Sequence, residues 1–249
     1  MYSIVTSYKF VKIINPEDIR NELNELCDKY EIRGTIIVAR EGINLTLSGI
    51  LKNLEKLLIE INKINYLSDL KYNNHTTASF IPFKKMKVRL KNEIVALKDK
   101  ELVALDMSET PPGKHLDAAD WNKLIKREDV IVVDTRNSYE VAFGTFKNAV
   151  NPYTQAFSEI TEWFEKNVDI NNKSQKIAMF CTGGIRCEKS TAYVKLLGFE
   201  NVYHLNGGVL KYFQDTQGKE NLWDGNLFIF DDRIALNKNL ESINQNENK

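Results

Sequence analysis

The chain has 249 residues, 43% hydrophobic and 27% charged, with 12 Gly and 5 Pro, a composition that excludes collagen-like, low-complexity and wholly disordered classes. At about 150 residues per domain the length allows one to two domains. The 34 basic residues equal the 34 acidic ones, so no global excess marks a nucleic-acid binder and any such partner must meet a local patch.

Apolar alternation from Ile4 to Val11 reads as a strand, and Pro16 opens a helical stretch with Ile19, Leu23, Leu26 and Cys27 on one face. Gly34–Ala39 is a β-branched run followed by the turn Arg40-Glu41-Gly42-Ile43 and a second strand near Asn44–Leu47, a hairpin pattern. Leucines 51, 54, 57 and 58 with Ile61 keep helical spacing. A last strand over Lys84–Ala96 completes the order β-α-β-β-α-β, which predicts a ferredoxin-like (acylphosphatase-like) α+β domain over residues 1–98. Residues 99–115, with Pro111-Pro112-Gly113, read as the linker.

The rest alternates: a helix over Asp117–Arg127, a buried strand Val130–Val133, a helix near Ala156–Asn167, a strand Ile177–Phe180, a helix over Glu188–Leu197 and a short strand Val202-Tyr203. This pattern predicts an α/β domain with a parallel sheet over residues 116–218, and the class of the whole chain is α/β. A C-terminal extension, 219–249, ends in a polar tail from Asn237 that is expected to fray. Residues 1–115 carry a net charge of +3 and residues 116–249 one of −3.

Three cysteines cannot build a disulfide framework, and no stretch reads as a signal peptide or membrane span, so the expectation is a cytoplasmic protein with reduced thiols and no membrane partner. Cys27 lies on an apolar helix face and reads as core. His75, His115 and His204 are far apart in sequence and lack metal-ligand spacing, and no G-x-G-x-x-G follows a strand, so neither a metal nor a nucleotide cofactor is expected.

The chemistry is concentrated in Ile177–Phe180 followed by Cys181-Thr182-Gly183-Gly184-Ile185-Arg186-Cys187. A strand delivers a cysteine at its carboxyl end, where open α/β sheets place reactive groups. The glycines let successive N–H groups curl around the sulfur, and the helix N-terminus and Arg186 add positive potential, all favouring a thiolate or persulfide. A buried core cysteine would need neither the glycines nor the arginine. Cys187 is either a resolving thiol or an inward-packed helix residue; the tight cradle suggests that the two sulfurs point apart. Asp134 and Arg136, at the end of a buried strand, read as a pair supporting the neighbouring loop, which Glu140 could join, rather than as catalytic groups. Lys85, Lys87, Arg89 and Lys91 alternate with Met86, Val88 and Leu90, giving either a phosphate-tracking stripe or a solvated strand face.

The Cys-x4-Arg loop, together with Val133–Glu140, Gly144–Ala149 and Tyr203–Val209, resembles a rhodanese domain. CTGGIRCEKS, GTIIVAREGINLTLSG, FKKMKVRLKNEIV, Trp223-Asp224-Gly225 and Phe228–Asp231 are similar to the bacterial tRNA uridine hydroxylase family, from about residue 2 to residue 236. Thr145-Phe146, where generic rhodaneses carry His-Ile, is usual for this family; Leu227 stands where many members carry a cysteine.

The resemblance implies oxygen-dependent hydroxylation of the wobble uridine of tRNA to 5-hydroxyuridine, with tRNA as partner, molecular oxygen and a reductant consumed, and Cys181 essential. It implies no DNA partner and leaves the oligomeric state open. The alternative within the same loop is a sulfurtransferase working through a Cys181 persulfide. A cysteine phosphatase usually has five residues between Cys and Arg, whereas four intervene here. An RNA-binding adaptor would not need Cys181 and Arg186.

Overall fold

The structure, a computed structural model, describes residues 1–70, 72, 74–98, 107 and 110–243. The described residues divide into two compact units, one of 1–70, 72, 74–96, 107 and 230–233, the other of 97–98, 110–229 and 234–243.

In the first unit β1 (Tyr2–Phe10), β2 (Arg33–Ala39), β3 (Gly42–Gly49), β4 (Asn74–Ala78) and β5 (Met86–Leu90) form one sheet in the order β4-β1-β3-β2-β5. Helices α1 (Pro16–Lys29) and α2 (Leu51–Ile61) cover one face. Their Leu23, Cys27, Leu54 and Leu57 join Ile36, Val38, Leu45 and Leu47 in one buried core, as period 3.6 in the helices and period 2 in the strands require. Burial pushes the Cys27 thiol up to about 12, so it is a core side chain without nucleophilic character.

The four strands β4-β1-β3-β2 with two helices are the ferredoxin-like arrangement, but the strand that closes it is not the expected one. It is β4, whose NHTTA sequence has no apolar alternation and which pairs antiparallel with β1 at the sheet edge. The basic segment forms β5 instead, parallel to β2 at the opposite edge. It is shorter than predicted: beyond Leu90 the chain is pinned by side chains, with the Ile94 N–H donating to Glu41 Oε1 (2.6 Å) and Asn44 donating to the Ile94 carbonyl.

In the second unit β6 (Lys114–Leu116), β7 (Val130–Asp134), β9 (Lys176–Phe180) and β10 (Asn201–Leu205) make a parallel sheet in the order β6-β10-β9-β7. Lys114 and His115, assigned to the linker by composition, thus sit in an edge strand; residues 99–106, 108 and 109 of that linker lie outside the described residues. The helices are α3 (Ala118–Ile125), α4 (Ser138–Val141), α5 (Ile160–Asn167), α6 (Ile185–Leu196) and α7 (Gly208–Asp215). Asp117 caps α3 by accepting from the Asp120 N–H at 2.9 Å.

The C-terminal extension is not an appendage. Its β11 (Trp223–Gly225) pairs with β8 (Gly144–Phe146), and β12 (Leu227–Phe228) pairs with β13 (Ala235–Leu236). Trp223 enters an aromatic cluster with Phe146, Phe180 and Phe213 at ring separations of 5.1–6.0 Å, and Leu227, at the position noted for its missing thiol, is buried core. Asp231 and Arg233 belong to the first unit, where Arg233 donates to Thr76 Oγ1 at 2.8 Å. The polar tail is ordered further than expected: Asn237 hydrogen bonds Glu241 and Leu236 bridges Ser242, while 244–249 lie outside the described residues.

Candidate active site

β9 ends at Phe180, and the chain turns through Cys181–Gly184 directly into α6. The helix starts at Ile185, three residues before the predicted start, so Ile185, Arg186 and Cys187 form its first turn. The early start follows from Gly184, which takes φ +96° and acts as the N-cap. Its N–H donates to Cys181 Sγ at 3.1 Å.

Burial disfavours ionisation of Cys181, but hydrogen bonding from the Cys187 thiol, the Arg186 charge and the Cys187 and Arg186 N–H groups outweigh it and bring the thiol down to about 6. Cys187 responds oppositely. Burial first, then its hydrogen bond with Cys181 and the charge there, push it well up. Thr135 Oγ1 stands 3.7 Å from its sulfur. The two buried thiols thus interact, against the expectation that the sulfurs point apart, with Cys187 in the first turn of α6. Both cysteines are free.

A pH prediction follows. Below pH 6 Cys181 is a thiol and above it a thiolate, so the 240 nm thiolate absorbance, taken as the difference from Cys181→Ser, is expected to rise with a midpoint near 6. In Cys187→Ala, which lacks the donated hydrogen bond, the midpoint moves upward. An unchanged midpoint would show that the Cys187 thiol contributes nothing.

Arg186 does not point freely at the sulfur. Its guanidinium grips Glu140 with both nitrogens, Nη1 to Oε2 at 2.8 Å and Nη2 to Oε1 at 3.0 Å, and Glu140 is fully buried. Glu140 Oε2 also accepts the Asn137 N–H at 3.0 Å, so α4 holds the carboxylate and the carboxylate holds the arginine. Asp134 and Arg136 form a separate pair with no exposed side chain, Nε to Oδ1 at 2.9 Å and Nη2 to Oδ2 at 2.6 Å. Arg136 donates further to the Gly144 carbonyl at 2.6 Å and lies 4.8 Å from the Trp223 ring, while Thr145 donates to Asp134 Oδ2. That pair ties β7 to β8 and the extension and, through Arg136 Nη1 donating to the Glu140 carbonyl at 3.4 Å, reaches the helix whose Glu140 carboxylate holds Arg186.

The loop is clamped from the far side by the junction of β10 and α7. The Val209 N–H donates to the Cys181 carbonyl (3.0 Å) and the Leu210 N–H to the Thr182 carbonyl (3.1 Å), which holds both carbonyls on the first turn of α7. Gly208 takes φ +67°, and a Cβ there would meet the Cys181 oxygen at 2.5 Å, the Thr182 oxygen at 2.6 Å and the Gly184 nitrogen at 2.7 Å. Gly208→Ala combines a left-handed penalty of ~1–2 kcal/mol with a collision against the nest. A lowered melting temperature and a raised Cys181 midpoint in the same 240 nm titration are expected.

Sequence comparison covers both units. Residues 2–94 match the UPF0176 acylphosphatase like domain and residues 117–215 the Rhodanese-like domain. A tRNA uridine(34) hydroxylase of Wolbachia sp. subsp. Brugia malayi is 46% identical over 247 residues, spanning 98% of this chain and 88% of the relative. Proteins of the same name from Neorickettsia sennetsu (45%, spanning 97% and 86%) and Rickettsia canadensis (44%, spanning 96% and 93%) are similar along almost the whole chain. The chain belongs to the tRNA uridine(34) hydroxylase family.

Within this family member the sequence-predicted residues divide into two groups. Cys181, Thr182, Gly183, Gly184, Ile185 and Arg186 come together around one sulfur. Lys85, Lys87, Arg89 and Lys91 lie in the other unit, all exposed, with Met86 and Val88 turned to its core. Sequence reading missed the Glu140–Arg186 pairing and the part played by Gly208. A glycine pair directly after a strand, Gly207-Gly208, was the available signal for the second.

Proposed function

We propose that this protein hydroxylates uridine 34, the wobble uridine of tRNA, at C5 to give 5-hydroxyuridine, with Cys181 as the essential thiolate. The observation that carries this reading is the similarity of both units, end to end, to proteins named for that reaction. Replacing C5–H by C5–OH with an atom of molecular oxygen consumes two electrons from a reductant and releases the second oxygen atom as water. No helix among the described residues is long and apolar enough to cross a membrane, which is consistent with action on tRNA in the cytoplasm. Mass spectrometry of tRNA nucleosides from cells lacking the gene tests the assignment: 5-hydroxyuridine and its derivatives should fall, and return with the gene. Undiminished modification overturns it.

One observation favours a second reading. A four-residue cradle around a cysteine of low pKa suits a persulfide, so sulfur transfer from thiosulfate to cyanide by the purified protein is the competing assay. Cyanide-dependent thiocyanate formation without any change in tRNA nucleosides would favour it.

The exposed cations in and flanking β5 support tRNA contact by the first unit. Changing Lys85, Lys87 and Arg89 together to Ser removes three potential phosphate partners, each worth about 0.7–0.9 in the slope of log affinity against log salt. Weaker tRNA binding with a slope shallower by about two is expected. Binding equal to the parent at two salt concentrations would make the stripe a solvated face.

A further inference from the structure

The geometry points to a divalent-metal site in the parallel-sheet unit, in which His115, Glu188 and His204 bind one first-row transition-metal ion. Sequence separation hides this cluster, and the absence of ligand spacing argued against any metal. The sheet removes the separation: β6 and β10 are parallel neighbours and their register sets His204 directly beside His115, with ring centroids 4.0 Å apart. Glu188, in the second turn of α6, reaches both. Its Oε1 is 3.0 Å from His115 Nε2 and its Oε2 is 4.0 Å from His204 Nε2.

Each residue offers one ligand atom, and all three atoms lie within 4.8 Å of one another. Ligands at about 2.0–2.2 Å in a tetrahedral shell stand roughly 3.3 Å apart, so the observed separations bracket what an ion needs. The closure required is small, and His115, with 43% of its side chain exposed, is free to supply it.

The independent observation is His204 itself. Its side chain is wholly buried, yet neither Nδ1 nor Nε2 has a hydrogen-bond partner among the described residues. A buried imidazole with both nitrogens unpaired is costly and needs an account. Coordination of Nε2 by an ion gives that nitrogen a partner. The opposing reading, a histidine pair packed around a hydrogen-bonded glutamate, explains the His115–Glu188 contact but leaves His204 Nε2, 4.0 Å from Glu188 Oε2, without a hydrogen bond.

The donor set selects the ion. Two neutral imidazoles and one carboxylate suit Zn(II), Co(II) or Fe(II), whereas Ca(II) and Mg(II) favour all-oxygen shells. Three protein ligands also leave at least one coordination position, on the solvent-facing His115 side, for water or another small molecule.

The test uses the full chain stripped with chelator and titrated with Co(II), read by its visible absorption, then competed with Zn(II). All proteins carry Cys181→Ser, so that cobalt–thiolate bands from Cys181 cannot contribute. One equivalent of ion is expected, without sulfur-to-metal charge-transfer bands. Affinity should fall by ~10-fold or more in His115→Ala and in His204→Phe. His115 is half-exposed, so its variant reports even where the buried substitution impairs folding. Absence of stoichiometric binding, charge-transfer bands assigning the ion to Cys187, or equal binding by the parent and His115→Ala each overturns the proposal.

Discussion

Cys181→Ser is expected to lower 5-hydroxyuridine formation by roughly a thousandfold or more, the scale seen when a group at the reacting centre is removed, while the fold survives. The serine hydroxyl occupies nearly the sulfur's volume and can still accept the Gly184 N–H. It does not ionise near neutral pH, so the four influences that bring the cysteine down to about 6 have no anion to act on. The measurement is nucleoside mass spectrometry of tRNA from cells carrying only the Ser variant, beside a melting curve of the purified protein. Near-parental modification, with an intact melting transition, would remove Cys181 from the reaction. Arg186→Ala weakens the same field without removing the sulfur, and a smaller loss is expected from it.

Glu140→Ala is the substitution expected to cost most stability. It leaves the Arg186 guanidinium, 12% exposed, without the carboxylate that accepts both of its nitrogens. Breaking one side of a buried pair costs about 3–5 kcal/mol, because the remaining charge stays desolvated. The Asn137 N–H loses its acceptor at the same time. Denaturant unfolding of the parent and variant measures the difference directly. Glu140→Gln keeps an acceptor oxygen but not the charge and should recover only part of the loss; if Glu140→Gln unfolds like the parent, the charge pairing is not what holds the loop.

The cysteine loop was legible because everything that defines it is local. A strand, a cysteine, two glycines and an arginine fall within ten residues, and a helix follows at once. The elements that escaped depend on partners distant in sequence or on weak intrinsic signals. The strand β4 is polar and holds an edge by pairing with β1, so no alternation marks it. Glu140 and Arg186 are 46 residues apart, and either could as well have been a solvated charge. His115 and His204 become neighbours only through the parallel register. The coupling of Cys187 to Cys181 was not legible, because a tight cradle does not by itself say which way a side chain in the following helical turn faces. Whether a thiol faces its neighbour depends on where the first helical turn begins, and boundaries are the least determined feature of a periodic pattern.

The clamp on the Cys181 and Thr182 carbonyls bears on what can be transplanted. CTGGIR reads as a self-contained cassette, yet two of its peptide groups are oriented by N–H donors from a helix that follows the next strand, and the space it occupies is bounded by Gly208. Grafted alone onto another parallel sheet, the hexapeptide would lose the donors that hold those oxygens, and a carbonyl free to face a thiolate opposes its ionisation. The portable module is therefore discontinuous: the hexapeptide, Glu140 on its short helix, and the Gly207-Gly208 junction. An engineer recoding this centre, or a chain diverging from it, has to carry all three segments together.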